Sequence, residues 1–242
     1  MTRSRLSRII DSLAAYYGKQ HPPPAHGAFE LVLWEKVAYL ADDAKRARAF
    51  AALRDRVGLT PSAITAADDE TLRECVAVGG PIEVPKRVRN MRDAADYVIA
   101  EWDGTLDVAL TLPLREARRA LQKFAGIGEP GADKILLLTR SQKVLALDSN
   151  GARALLRLGY GMDHKSYSTM YKSVVAAATP ELVADYDSLI DAHVLLRHHG
   201  QQTCKTNEPH CEICPVRGVC DFAHQAGSRP NTVRLGRDGR ER

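Results

Sequence analysis

Four of the chain's five cysteines crowd into one short stretch: Cys204, Cys211, Cys214 and Cys220, in the pattern C-x6-C-x2-C-x5-C. No other feature restricts the fold so strongly. Thiolates this close in sequence can converge on one point, and a loop tied in that way becomes a fixed unit. A secreted disulfide scaffold spreads its bridges through the chain, so the crowding argues for metal chemistry instead. Two readings are open, a tetrahedral zinc and a [4Fe–4S] cube. Zinc sites usually pair two short knuckles, whereas only Cys211 and Cys214 form one here, and the wider flanking gaps suit the larger object. Cys75 lies far upstream in a helical pattern and reads as a small buried hydrophobe.

The rest of the 242-residue chain is helical in pattern. Ala, Leu, Arg and Glu dominate, and β-branched runs of period two are lacking. With 45% apolar and 26% charged residues, wholesale disorder is excluded. No apolar run approaches the roughly 20 residues of a membrane span. The first residues read as an amphipathic helix without a secretory cleavage site, so the expectation is a soluble, cytoplasmic and nucleoid-associated protein. Helices are expected over Ser4–Tyr17, Phe29–Leu40, Lys45–Val57, from Pro61, and over Asp68–Cys75. Further ones follow over Lys86–Glu101, over Leu114–Phe124, from Pro130, from Asp148 to about Leu158, and over Ser166–Ala178 and Pro180–His199. That makes an all-α chain of roughly ten helices. The net charge of +4 does not by itself identify a polyanion partner. The tail beginning at Gly227 holds five Arg against Asp238 and Glu241 and offers nonspecific affinity for nucleic acid.

A second signal is Gly126-Ile127-Gly128, which joins two helices. Glycines permit a tight turn, and the amides around it then make an anion site suited to a nucleic-acid phosphate, with Ile127 as a buried anchor. Next, the apolar run Val144–Leu147 delivers Asp148 to a helix start, either as an ordinary N-cap or as a working carboxylate. Glu35 falls at i±4 to Leu31 and Tyr39. A carboxyl on such an apolar face could have a raised pKa and donate a proton; the plainer reading is a surface glutamate paired with a basic neighbour. The run Lys86-Arg87-Val88-Arg89-Asn90-Met91-Arg92 either faces phosphates or is a solvated helix face. His193, His198 and His199 lie on one helix without i,i+3 or i,i+4 spacing and read as packing residues.

Taken together, Leu121 to Ile135, Leu147-Asp148-Ser149-Asn150, His193, His199-Gly200, Thr203-Cys204 and the cysteine loop with Pro209 and Pro215 resemble the endonuclease III superfamily of helix-hairpin-helix DNA glycosylases. Order and spacing match from about Phe29 to Cys220. The resemblance implies a [4Fe–4S] cluster on Cys204, Cys211, Cys214 and Cys220. It implies two helical domains flanking a DNA cleft: a barrel over 28–140 with the hairpin at about 114–138, and a cluster domain of 1–27 and 141–225, followed by a basic tail, 226–242. The partner is double-stranded DNA with a damaged or mismatched base, bound by a monomer, with no membrane partner. Asp148 is then the carboxylate that stabilises the cationic sugar. Gly126, Ile127, Gly128, Gly131 and Lys134 are expected on the DNA. Leu40 and Ile82 are candidate wedges for the gap left by an extruded base, although a leucine at position 40 is also an ordinary core residue. Relatives that also cut the strand carry a lysine where this chain has Pro130, so the expectation is monofunctional base excision. Alternatives are a bifunctional glycosylase and lyase using Lys134 or another amine, and a catalytically silent DNA-binding or damage-sensing protein. Glu35 falls where adenine-excising relatives carry their acid, but Ala38-Tyr39-Leu40-Ala41-Asp42 departs from their glutamine-rich stretch. The base itself is left open.

Overall fold

Serine, threonine and aspartate side chains start seven of the helices in the computed structural model, which describes residues 3–227. Ser4, Asp42, Thr60, Asp68, Asp148, Ser166 and Asp185 each accept from a first-turn N–H that has no partner inside its helix. The helices so placed are α1 (Arg5–Tyr17), α2 (Ala28–Lys36), α3 (Asp43–Arg56), α4 (Pro61–Ala66), α5 (Asp69–Ala77), α6 (Val84–Trp102) and α7 (Asp107–Thr111). They continue with α8 (Leu114–Leu121), α9 (Glu129–Leu138), α10 (Ser149–Arg157), α11 (Tyr167–Ala178), α12 (Tyr186–Gln202) and α13 (Asp221–Gly227). No strand occurs among the described residues, so the fold is all-α. Nor is any helix among them long and apolar enough to cross a membrane.

The departures from the expected helices have local causes. The helix expected over Phe29–Leu40 ends at Lys36, because guanidinium groups from elsewhere take the carbonyls at its end. Arg46 Nη1 donates to Trp34 O (2.8 Å) and Arg87 Nη1 to Val37 O (2.8 Å). Leu40 then turns through the left-handed region at φ 50°, and Asp42 restarts the chain as α3. Helix α6 takes in Pro85, which loses no hydrogen bond in a first turn. The stretch expected as one helix over Pro180–His199 divides into a 3-10 turn, Thr179–Glu181, and α12, which Asp185 caps. The short helices α7 and α13 were not foreseen.

Apolar residues gather in two cores. One joins α2 through α9 and contains Phe29, Phe50, Leu53, Met91 and Leu121, with Cys75 fully buried inside it. The other joins α1, α10, α11, α12 and the cysteine loop through Leu6, Leu13, Leu155, Tyr171, Leu196 and Val216. The division falls within α9, where Leu136 belongs to the first core and Leu137 to the second.

Buried polar groups fix the seams. Asp133 on α9 is fully buried and accepts from Arg118 Nε (2.5 Å) and Tyr171 Oη (2.9 Å), which fastens α9 to α8 and α11. Lys36 is also buried and donates to Ala125 O (2.6 Å), the carbonyl just before Gly126. Burial pushes its amine down to about 8.

Two of the four cations of the basic run, Arg87 and Arg92, are used inside the fold. Arg87 is buried and donates to the carbonyls of Val37, Val76 and Gly80, while Arg92 is held by Asp69 and by the carbonyls of Ile64, Thr65 and Ala67. Lys86 pairs with Glu83. Carbonyls at nearby helix ends have claimed these cations, leaving Arg89 exposed. Residues 228–242, with the arginines of the basic tail, lie outside the described residues. Replacing Arg87 with methionine strands three carbonyls. The expected loss is about 3 kcal/mol, read from a lower denaturant midpoint at unchanged slope; a loss below about 0.5 kcal/mol contradicts this account of the seam.

Candidate active site and cysteine loop

Leu145, Ala146 and Leu147 are buried in the second core and bring Asp148 to the start of α10. There it serves as the N-cap: Oδ1 accepts from the amides of Asn150 (3.0 Å) and Gly151 (2.8 Å). Oδ2 accepts from Asn150 Nδ2 (3.0 Å) and lies 3.3 Å from Arg197 Nε. The carboxylate stays 22% exposed, on a cleft lined also by Trp34, Glu35, Leu40, Lys134, His193 and Arg197, with Pro22, Pro23 and Pro24 along one side. These residues come from both cores, so the cleft lies between them.

Glu35 and Lys134 form an ion pair in this cleft, Nζ to Oε1 2.6 Å. Burial pushes the Glu35 carboxyl up, but the charge and hydrogen bond of Lys134 outweigh it, and the net shift is downward. Of the two readings of Glu35, the geometry shows the pairing with a basic neighbour, with a lowered rather than a raised pKa. The i+4 contact with Tyr39 is also lost, because α2 ends before it. Lys134 lines the cleft with its side chain 13% exposed and engaged with Glu35.

His193 is buried on α12, with Nδ1 3.0 Å from Ala146 O. A carbonyl only accepts, so Nδ1 carries the proton. Burial, then the Lys134 charge, push the imidazole down to about 4. It is neutral in the folded protein near neutral pH.

The hairpin turn is built as its glycines require. Gly126 adopts φ 81°, and Ile127 is buried. A Cβ at Gly131 would stand 3.2 Å from Ile127 Cγ2, which explains the small residue there. Two neighbours reduce the anion site that the turn implied. Pro130 has no N–H, and Glu129 places a carboxylate at the same helix start, where Lys172 (3.3 Å) and Arg118 (3.8 Å) pair with it. Of the two candidate wedges, Leu40 is 77% exposed and lines the cleft, so it is not a core residue. Ile82 is half-exposed, on a turn that abuts the Val37–Ala38 turn but does not line the cleft.

The four clustered cysteines line one pocket with about 350 Å³ of atom-free space. Arg157 Nη1 lies 3.4 Å from Cys204 Sγ, and His199 Nε2 lies 3.9 Å from Cys214 Sγ. Among the described residues no group of three or more His, Cys, Asp or Glu side chains is placed to hold a metal ion. The loop is joined to Asp148 by side chains: Arg153 donates to Cys204 O (3.0 Å) and to Asn150 Oδ1 (2.9 Å), and Asn150 donates to Asp148.

Three residues near Asp148 were not read from the sequence. Arg197 is gripped by Asp43, Nη1 to Oδ2 2.6 Å and Nη2 to Oδ1 2.5 Å. Tyr167 opens α11, and burial together with the Asp148 charge push its phenol up. A signal for Arg197 existed: it is a cation inside the otherwise apolar turn Val194-Leu195-Leu196. Asp43 and Tyr167 carried none.

No family model matches the chain. Endonuclease III of Sulfolobus acidocaldarius is 28% identical over 178 residues, which are 72% of this chain and 73% of that protein. Among solved structures, a non-covalent endonuclease III–DNA complex superposes with a TM-score of 0.73 at 20% identity, covering 95% of this chain and all of the other. A thermostable thymine-DNA glycosylase gives 0.71 at 13% identity over 91% of this chain and 97% of the other. The chain is thus similar in sequence to that endonuclease III, and it shares its fold with these two solved structures.

The neutral state of His193 has a consequence for stability. Its folded value of about 4 lies below the ordinary 6.5, so between these pH values the unfolded chain takes up a proton that the folded chain refuses. The contribution is present above pH 6.5 and is lost as pH falls through that window. His193→Gln is expected to flatten the slope of unfolding free energy against pH there, relative to the wild type; an unchanged slope contradicts the assignment.

Proposed function

We propose that the chain is a DNA glycosylase of base excision repair, hydrolysing the bond between a damaged or mismatched base and its sugar in duplex DNA. The observation that carries this reading is Asp148, a carboxylate open to a polar cleft between two helical cores and fixed by the start of a helix. The sequence similarity and the shared fold support it. On this reading residues 28–140 form the hairpin-bearing domain, residues 1–27 and 141–225 form the cysteine-loop domain, and the duplex runs across the cleft as the partner of a monomer.

The chemistry follows from charge. Breaking the C1′–N bond leaves a cation-like sugar, and the Asp148 carboxylate stabilises that charge and directs water to it. The base first leaves the stack, at a cost of a few kcal/mol that is least for a damaged or mismatched base. Amides around Gly126, Gly128 and Gly131 hold the strand's phosphate, and Leu40 fills the space vacated in the duplex. Glu35 is not assigned as an acid, because Lys134 holds it ionised.

The same pair bears on strand cleavage. Pro130 has no amine. Lys134 does lie in the cleft, which is the observation behind a bifunctional reading, but its Nζ is engaged by Glu35 at 2.6 Å. The proposal is therefore hydrolysis alone.

Cys204, Cys211, Cys214 and Cys220 suit a [4Fe–4S] cluster better than zinc. They line one pocket, and their single short knuckle with wide flanking gaps suits the larger object. Such a group supplies a rigid knot and a redox centre. Arg157 beside Cys204 offsets the negative charge of the thiolates, and the loop they form ends α12.

A panel of duplexes with single lesions or mismatches tests the proposal. Wild-type protein is expected to release at least one base, and Asp148→Asn to slow release on the order of 10²–10³-fold while keeping duplex binding, since asparagine caps a helix as well as aspartate does. Binding without release across the panel would favour the silent DNA-binding reading. Borohydride should trap no covalent adduct on abasic DNA; an adduct lost in Lys134→Gln would establish the lyase. For the loop, iron analysis is expected to give about four irons per chain, and a zinc-only protein contradicts the cluster.

A further inference from the structure

Asp148 does not act on the cleft alone: the ion pairs around it form a bridge. Asp43 is the first residue of α3, whose Ala49, Phe50 and Leu53 belong to the first core. Arg197 lies on α12, whose Leu189, Leu195 and Leu196 belong to the second. Both Nη atoms of Arg197 are taken by the two oxygens of Asp43, at 2.6 and 2.5 Å, and its Nε lies 3.3 Å from Asp148 Oδ2. The guanidinium thus spans the cleft, with its fork on one side and its remaining N–H edge toward the candidate catalytic carboxylate.

Nearby cations have other partners. Lys134 is paired with Glu35, and Arg153 with Asn150 and with the carbonyls of Cys204 and Gly200. His193 is neutral. Arg197 is accordingly the cation in ion pair with Asp148.

This geometry solves a problem of charge. A guanidinium paired with Asp148 alone would cancel the negative charge that a cationic sugar needs. With Asp43 holding the fork, the three groups carry one net negative charge. Asp148 keeps a full carboxylate's effect while its Oδ2, bonded by Asn150 Nδ2, stands in ion-pair range of Arg197 Nε. Arginine suits this task because its planar fork fixes the orientation of Nε once Nη1 and Nη2 are bound; lysine has no such geometry.

We propose that Arg197 is a positioning residue for Asp148, aimed by Asp43 from across the cleft. The proposal rests on the glycosylase reading, and the test separates the two. Single-turnover base release and duplex affinity are measured for wild type, Arg197→Met, Arg197→Lys, Asp43→Asn and the double variant Asp43→Asn/Arg197→Met. The expected result is a fall in rate of about 10- to 100-fold for Arg197→Met, the size of effect a misplaced reacting group produces, with duplex affinity little changed. Asp43→Asn should give a similar fall, although Asp43 is not in contact with Asp148. The double variant should be no slower than the slower single one, and Arg197→Lys should recover part of the rate. Wild-type rates in Asp43→Asn, losses that multiply in the double variant, or affinity falling as far as rate would overturn the proposal. Should the wild type release no base from any duplex, the glycosylase reading fails by itself. The bridge is then read from thermal unfolding, where the two single variants should be non-additive; additive shifts would overturn it as well.

Discussion

The placement of one carboxylate constrains this molecule more than any other interaction. Asp148 satisfies the first amides of α10 with one oxygen, and the folding of that helix therefore fixes the group to within hydrogen-bond tolerance. A side chain used as a cap has little freedom left. That loss of freedom is what a charge-stabilising residue needs, because a preoriented charge does not have to reorganise when the sugar cation forms. The N-cap reading of Asp148 is what the structure shows, and the charge-stabilising role proposed for it uses the same geometry.

Polar contacts, not apolar ones, define how the two cores meet at the cleft. The apolar clusters divide cleanly, within α9. What crosses the cleft is charged: Arg197 on α12 to Asp43 on α3. Elsewhere, Arg87 and Lys36 lie buried against helix-end and turn carbonyls, where their hydrogen bonds replace lost hydration. Some guanidinium groups in this chain are therefore used inside the fold.

Much of the architecture was legible in the sequence. Capping residues such as Thr60, Asp68, Asp148 and Ser166 mark helix starts because their effect is local. The cysteine spacing and the Gly126-Ile127-Gly128 turn were legible for the same reason. What could not be read depends on distant partners. The end of α2 is set by Arg46 and Arg87, far along the chain. The state of Glu35 is set by Lys134, on another helix, so its own segment could not decide between its two readings. Asp43 and Tyr167 are ordinary in their own segments; Asp43 gains its partner only when α3 meets Arg197 of α12, and Tyr167 comes near Asp148 only when α11 packs beside α10. Leu40 could not be separated from a core leucine by periodicity, since its exposure follows from the helix ending four residues earlier.

If a fixed carboxylate in a DNA-binding cleft exists to stabilise a sugar cation, the protein should discriminate by charge at that position. The direct measurement is the affinity for two duplexes that differ in one nucleotide, an abasic-site analogue with a cationic pyrrolidine ring or with a neutral tetrahydrofuran ring. The account predicts that the cationic duplex binds at least about 100-fold more tightly, as a mimic of the transition state should, and that Asp148→Asn removes the preference. Equal affinity of the wild-type protein for the two duplexes would contradict it.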